Sequence, residues 1–480
     1  SALFRSFVIA ITGASIVLLF GSCYDLLLAS SSNMDITHIK RYFLSRDEQT
    51  RSQQTCPGLK IVAPGENIQV GELEVHVMSA IHRQDYPLPG AFNVLLVGWA
   101  YCDSFEQSFV CCLGNRKSLD EMVQVPAKPL FMDNRLKRIP MRYALYSCTV
   151  DGSFARESSS GLEGSRFRYV AFSETSCGAN MTAGREIASA KEGGKKFGMC
   201  TKIAYGYLEP ERLVEWFEFA KLIGVDVVQV FYHIVSERAM DVFRYYESTG
   251  FVILAPVNPA VMKGVAGAGH PPRGFLRPRW EEQAWMDGTV ICNDCVHRLS
   301  QYDFVAIMDF DELLLPSAPH NTLLEVAQAA AGKYPEAAAF FIETYIALLN
   351  WPASNNKSSI FFLRYLDHSV SDKLDNFGMG KSSPKLIYRP TRVIAVYTHD
   401  LTPAMNFTKE YLPKESHKFL HYRECKSKWN GCVMDRVRDN GILRFESKWL
   451  QAVSQLPLKE IGCHSDYTNR IKRQARRLKD

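Results

Sequence analysis

Asp309 and Asp311 stand two residues apart in Asp303-Phe-Val-Ala-Ile-Met-Asp309-Phe-Asp311-Glu312-Leu-Leu-Leu-Pro316, where a short apolar run ends in an acid pair. Alternate residues of an extended segment point the same way, so this spacing offers two carboxylates to one divalent ion while Phe310 turns into the packing. A hard cation, Mn²⁺ or Mg²⁺, held by such carboxylates and by substrate phosphates would neutralise a diphosphate leaving group. An isolated acid pair is more often a solvated turn after an edge strand. Here it caps a buried-type strand late in an alternating helix and strand order, which favours chemistry. Cys292-Asn-Asp-Cys295 has the spacing of a zinc half-site or a redox pair. No second pair stands at useful spacing, so structural half-cystines are expected.

The elements around the acid pair change character near Gly198. From there, Met199-Cys-Thr-Lys-Ile-Ala-Tyr reads as a strand, and Pro210 opens a helix on which Leu213, Trp216, Phe217, Ala220 and Ile223 recur before Gly224. Val225-Asp-Val-Val-Gln-Val-Phe-Tyr follows as a strand, then a helix from about Ser236 to Ser248, then strand Phe251-Val-Ile-Leu-Ala-Pro-Val. A further helix is expected from Trp280 to Ser300. Such alternation indicates right-handed crossovers and a largely parallel sheet, with ligands at the carboxyl ends of its strands. A phosphatase of the haloacid-dehalogenase type also begins with a strand and an acid pair. That family has Thr or Val where this chain has Leu313, and its nucleophile follows the first core strand, whereas Asp309 follows several units.

Between Leu59 and Phe197 the pattern is one of short alternating runs: Leu73-Glu-Val-His-Val-Met, Asn93-Val-Leu-Leu-Val-Gly-Trp, Ser108-Phe-Val-Cys-Cys-Leu, Tyr143-Ala-Leu-Tyr-Ser-Cys and Phe167-Arg-Tyr-Val-Ala-Phe. Turn-rich sequence separates them, so an antiparallel, sandwich-like module is expected. Ser6 to Tyr24 carries no formal charge over nineteen residues, nearly enough to span a bilayer core of about 30 Å. Arg5 before it and Asp25 after it point to an N-in, C-out anchor. A cleaved signal peptide is the alternative, with Ala29-Ser30-Ser31-Ser32 as its cleavage region. Asn33 to about Pro57 reads as a polar stem.

The 480 residues are 46% apolar, 12% aromatic and 22% charged, which excludes fibrous and wholly disordered chains. The net charge is only +5, and Arg470 to Asp480 supplies that much alone with six basic residues and one acid. No nucleic-acid partner is expected. The basic tail reads as a solvated helix. Of thirteen cysteines, all but Cys23 lie beyond the anchor, and Asn180, Asn356 and Asn406 head glycosylation sequons. Both features suit an oxidising lumen.

Read in order, Tyr205-Gly-Tyr, Leu213-Val-Glu-Trp-Phe-Glu-Phe-Ala-Lys-Leu-Ile-Gly-Val-Asp-Val-Val, Cys292-Asn-Asp-Cys295, Met308-Asp-Phe-Asp-Glu-Leu, Lys385-Leu-Ile-Tyr-Arg-Pro and His421-Tyr-Arg resemble glycosyltransferase family 92. The likeness runs from about Ser79 to Lys428. It implies a single-pass type II Golgi membrane protein with a lumenal catalytic domain of GT-A fold. The implied reaction moves galactose from UDP-galactose, in β1,4 linkage in many members, to an acceptor on a glycoprotein, glycolipid or polysaccharide. The resemblance maps the metal-binding acids onto Asp309 and Asp311, with Glu312 the acidic position that follows. It puts Asn293 and Asp294 near the donor or the acids, with capping or buried packing as the alternative, and makes Tyr205 and Glu211 further donor candidates. A late histidine often joins the metal in this fold, and His399 and His421 both fit. The base of an inverting transfer is expected between the acid pair and that histidine, where Glu343, Asp367 and Asp372 are open alternatives.

The expected fold class is therefore α/β, a GT-A-type nucleotide-sugar-binding domain preceded by a β-sandwich-like module and an N-terminal transmembrane helix. Its segments are a cytoplasmic remnant (1–5), anchor (6–24), stem (25–58), β-rich accessory domain (59–197), catalytic domain (198–465) and basic tail (466–480). The competing function is a catalytically degenerate glycan-binding or scaffold protein of the same fold.

Overall fold

The computed structural model describes residues 61–478 apart from 65, 74, 115–121, 135–140, 152–166, 179–180, 182, 190–195, 259–276, 356, 371–383, 414–416 and 426–435. The expected anchor, the stem, Asp372 and the sequon residues Asn180 and Asn356 lie outside the described residues. Among the described residues, no helix is long and apolar enough to cross a membrane.

The β-rich half contains β1 (Ile68–Gln69), β2 (Val75–Arg83), β3 (Phe92–Tyr101), β4 (Phe109–Gly114), β5 (Met122–Met132), β6 (Met141–Val150), β7 (Tyr169–Ser173), β8 (Arg185–Glu186) and β9 (Ala188–Ser189). They pair in the order β1-β2-β3-β6-β5-β4-β7-β8, with β9 beside β2, so they form one hydrogen-bonded sheet rather than two. The sheet nevertheless folds over. Cys111 on β4 and Cys148 on β6 are disulfide-bonded with Cα atoms 6.2 Å apart, although β5 lies between their strands. Two strand spacings on a flat sheet would be about 9.5 Å. The bend falls at β5, whose register shifts between Pro129 and Phe131. Phe92, Val94 and Leu96 of β3 thereby share a core with Phe109, Leu113, Val170 and Phe172 from the other end.

The second half begins with β10 (Phe197–Gly206), α1 (Pro210–Leu222), β11 (Val227–Val235), α2 (Glu237–Ser248) and β12 (Val252–Pro256), the expected alternation. Both helices stop at glycines with positive φ, Gly224 at +83° and Gly250 at +75°. Then come α3 (Arg277–Arg298), β13 (Phe304–Met308), β14 (Glu312–Pro316), α4 (Leu323–Lys333), β15 (Ala337–Ile342), β16 (Thr344–Leu348) and β17 (Asp367–Val370). The chain continues with β18 (Lys385–Tyr388), β19 (Val393–Val396), β20 (Leu401–Pro403), β21 (Thr408–Tyr411), β22 (His417–Arg423), β23 (Val437–Arg438), α5 (Glu446–Ser454) and α6 (Ser465–Arg477).

The main sheet runs β12-β11-β10-β13-β18-β15-β21. Its first four strands are parallel, and β18 is antiparallel to both β13 and β15. Strand parity divides its two faces. Phe304, Ala306 and Met308 join the core of α1, α2, α5 and α6, while Val305 and Ile307 join that of α3. The far side of α3 is covered by Met78, Leu95, Val97, Trp99 and Tyr143 of the folded sheet, with the Trp99 indole N–H donating to Asp287 at 2.9 Å. Residues 52–480 accordingly form one compact unit. A second sheet, β14-β22-β16-β17-β23, starts where β13 ends.

Candidate active site

The acid pair lies at the carboxyl end of β13, where the chain turns from the main sheet into the second one. The Glu312 N–H donates to the Asp309 carbonyl at 3.1 Å, closing a tight turn. The expectation that Asp309 and Asp311 share one face of an extended strand is therefore corrected: β13 ends at Met308 and the turn separates the two side chains. Phe310 does turn inward, packing within 5.0 Å of Trp216, 5.7 Å of Phe217 and 5.6 Å of Phe243 between ring centroids. The Trp216 indole N–H also donates to the Glu312 carbonyl at 2.8 Å, so α1 holds the turn from below.

Asp309 points toward two lysines. Thr201 of β10 pairs with Met308 of β13 in parallel register, which brings the next residues, Lys202 and Asp309, side by side. The Lys202 ammonium donates to Asp309 Oδ2 at 2.7 Å, and Lys385 Nζ lies 3.7 Å from the same oxygen. Lys385, only 1% exposed, donates to Glu312 Oε2 at 2.7 Å. That oxygen also accepts the Asp309 N–H at 2.6 Å. Burial would raise the Asp309 pKa, but Lys202 and Lys385 outweigh it and hold the carboxyl well below the usual range. Glu312 shifts upward instead, chiefly through burial, with the Asp309 charge adding to it and Lys385 opposing. Burial acts on Lys202 in the opposite sense, yet Asp309 and Glu312 prevail and raise it.

Asp311 points the other way and is 48% exposed. Glu312 and His421 are paired residues of β14 and β22, so the imidazole stands beside the turn. His421 Nε2 lies 3.3 Å from Asp311 Oδ2, and its Nδ1 lies 3.7 Å from Glu312 Oε1. One ligand atom from each of Asp311, Glu312 and His421 falls within 4.8 Å of the others. Two carboxylates and an imidazole suit a divalent ion such as Mn²⁺. The two ring nitrogens diverge, so a single ion would take Nε2 beside the exposed Asp311, while Glu312 orients the ring from behind.

The other expected residues are distributed more widely. His399 sits on the lysine side: its Nδ1 is 3.0 Å from the Pro384 carbonyl, and burial, then Lys385 and Lys202, push its pKa down to about 3. It does not join the Asp311 cluster among the described residues. For Asn293 the structure shows the buried packing that stood as the alternative to a donor contact. Its side chain is fully buried and clamps β19, donating to the Val396 carbonyl and accepting the Val396 N–H, both at 2.9 Å. Asp294, also fully buried, accepts from Arg298. Glu211 accepts the His464 N–H at 2.7 Å and pairs with Arg238 at 3.5 Å, tying α1 to α2 and the start of α6. Tyr205 is 66% exposed near the carboxyl end of β10. Of the base candidates, Glu343 is buried between β15 and β16, and Asp367 pairs with Arg438 at 3.6 Å.

Cys295 is bonded to Cys200, joining α3 to β10, and Cys112 to Cys177. The expectation of structural half-cystines holds for Cys295 and is corrected for Cys292, which is a buried thiol rather than a half-cystine. Lys202 and Lys385 were not singled out from sequence. The available signal was a lysine in each of two otherwise apolar strand segments, a placement that costs free energy unless the ammonium is paired.

No curated protein matches the chain. Solved structures with partial likeness include S. aureus TarS residues 1–349, at 13% identity over 59% of this chain and 73% of that one, with a TM-score of 0.27. The same TarS segment in complex with UDP-GlcNAc aligns at 11% identity over 59% and 74%, with a TM-score of 0.25. A mycobacterial protein aligns at 8% over 57% and 76%, with a TM-score of 0.23. Scores this low carry no argument about fold or ligand. The profile of glycosyltransferase family 92 matches residues 195–473, which is more than half of the sequence and spans the acidic turn, both lysines and His421. The chain thus belongs to glycosyltransferase family 92.

Proposed function

We propose that this protein is a metal-dependent, inverting glycosyltransferase of GT-A type that transfers galactose from UDP-galactose to a glycan acceptor. The observation that carries the reading is the cluster of Asp311, Glu312 and His421 at the carboxyl end of β13, in a chain of this family. Asp311 and His421 Nε2 would hold the cation, with Mn²⁺ favoured over Mg²⁺ by the imidazole. The bound ion would supply charge neutralisation to the diphosphate as it departs. The chain's own residues set the geometry: Glu312 orients His421, and Lys385 and Lys202 anchor Glu312 and Asp309. In the transfer, an acceptor hydroxyl oxygen bonds to the anomeric carbon as the bond to the diphosphate oxygen breaks, and the hydroxyl proton passes to a carboxylate base. Glu343, Asp367 and Asp372 remain the alternatives for that base.

The Golgi-lumen setting is part of the proposal. It is supported by the disulfides in both halves, which persist in oxidising compartments, and by the apolar segment 6–24. The folded sheet is proposed to present the acceptor. The test is a screen of the lumenal region with Mn²⁺ against UDP-sugars and a glycan array. UDP-galactose-dependent transfer that stops on chelation is expected; glycan binding without turnover of any UDP-sugar would establish the degenerate, scaffold-like alternative.

A further inference from the structure

The acidic turn holds more positive charge than a cation site calls for. Asp309, Asp311 and Glu312 contribute three negative charges, and Lys202 and Lys385 contribute two positive ones through contacts of 2.7 to 3.7 Å. Over carboxylates and ammonium groups the formal sum is −1. Binding a divalent ion turns it to +1. Without the lysines the corresponding values would be −3 and −1, so the loaded site would repel a diphosphate. An apolar side chain would fill either strand position at lower desolvation cost. Lys385 is buried beneath the turn and Lys202 is partly so, at 26% exposure, which limits screening of their charge by salt.

We infer that Lys202 and Lys385 set the sign of the site: net negative when empty, so that it draws in a divalent cation, and net positive once loaded, so that it draws in the diphosphate of a nucleotide donor. The inference rests on the functional reading above, in which cation and nucleoside diphosphate share this site. It assigns the lysines a part in donor binding and makes an unusual demand on their variants. Removing one positive charge should strengthen cation binding and weaken nucleotide binding together. A lysine that only supported the fold would weaken both.

Lys202→Met is the variant of choice, because this side chain keeps some contact with solvent. Mn²⁺ affinity is read from the electron paramagnetic resonance signal of the free ion, and UDP affinity by calorimetry at saturating Mn²⁺. The variant is expected to bind Mn²⁺ on the order of ten-fold more tightly and UDP on the order of ten-fold more weakly. Tighter Mn²⁺ binding also shows that the variant is folded. Lys202→Arg, which keeps the charge, is expected to return both constants toward those of the wild type. Loss of both affinities in folded Lys202→Met, or no change in either, would overturn the inference while leaving the functional reading to stand on the wild-type titrations. Wild-type protein that binds neither Mn²⁺ nor UDP would instead overturn the functional reading, and this inference with it.

Discussion

Asp309 and Asp311 are alike in sequence and opposite in circumstance. Asp309 is tied to Lys202 and Lys385, whereas Asp311 is the half-exposed carboxylate beside His421. Their replacements should therefore differ. On the proposed reading Asp311→Asn removes a direct ligand and is expected to weaken Mn²⁺ binding by more than about 100-fold, whereas Asp309→Asn, acting through the surrounding network, should cost about 10-fold. Titration of each purified variant with Mn²⁺ checks this, and equal losses would show that both acids hold the ion. Spacing alone could not reveal the asymmetry, because the lysines come from strands more than a hundred residues from Asp309 on one side and more than seventy on the other.

At the scale of the element, α1 links the acidic turn to the C-terminal helices. Its Trp216 and Phe217 receive Phe310, so Phe310→Ala should cost about 2 kcal/mol, below a fully buried phenylalanine because this ring is only partly buried. Denaturant melting measures that loss, and Mn²⁺ affinity should fall with it as the turn loosens. One residue earlier on α1, Glu215 accepts the Tyr467 hydroxyl and the Phe361 N–H at 2.9 and 2.8 Å, and burial pushes its pKa up to about 8 despite these donors. A carboxyl whose folded pKa is raised holds its proton more tightly in the native state than in the unfolded one. Its contribution is complete below the unfolded value near 4.5 and is lost as pH rises to about 8. Glu215→Gln should thus flatten the decline of stability across that interval; identical melting profiles for variant and wild type, measured against pH, would contradict the assignment.

For the whole molecule, the decisive contact is between α3 and the folded sheet. Val290, Ile291, Val296 and Leu299 of the α3 segment share one core with Leu95, Val97, Trp99 and Tyr143. A chain beginning at Phe197 would leave that apolar side of α3 in water and is expected to aggregate or lose its near-ultraviolet dichroism. A soluble, cooperatively melting product of that length would instead make the two halves separable domains. The disulfide between Cys200 and Cys295 locks α3 against β10 on the opposite side, so α3 is held from both directions.

The amino-acid sequence alone determined the elements that rest on local periodicity and stop signals: α1 ending before Gly224, α2 before Gly250, the parallel strands between them, and the apolar strand leading into the acids. It missed β5, because Pro126 and Pro129 argue against a strand, yet Pro126 pairs with Val110 of β4 and Pro129 with Tyr146 of β6, where the register then shifts. The motif also located the acids, and the family resemblance offered His399 and His421 without choosing between them. That choice belonged to tertiary structure, because strand pairing puts His421 opposite Glu312, parallel register sets Lys202 beside Asp309, and Asn293 is consumed by β19. Periodicity is a property of near neighbours, whereas charge balance at a site depends on which distant strands lie side by side. The chemistry was legible as residue types, and its electrostatics only once the sheets were assembled.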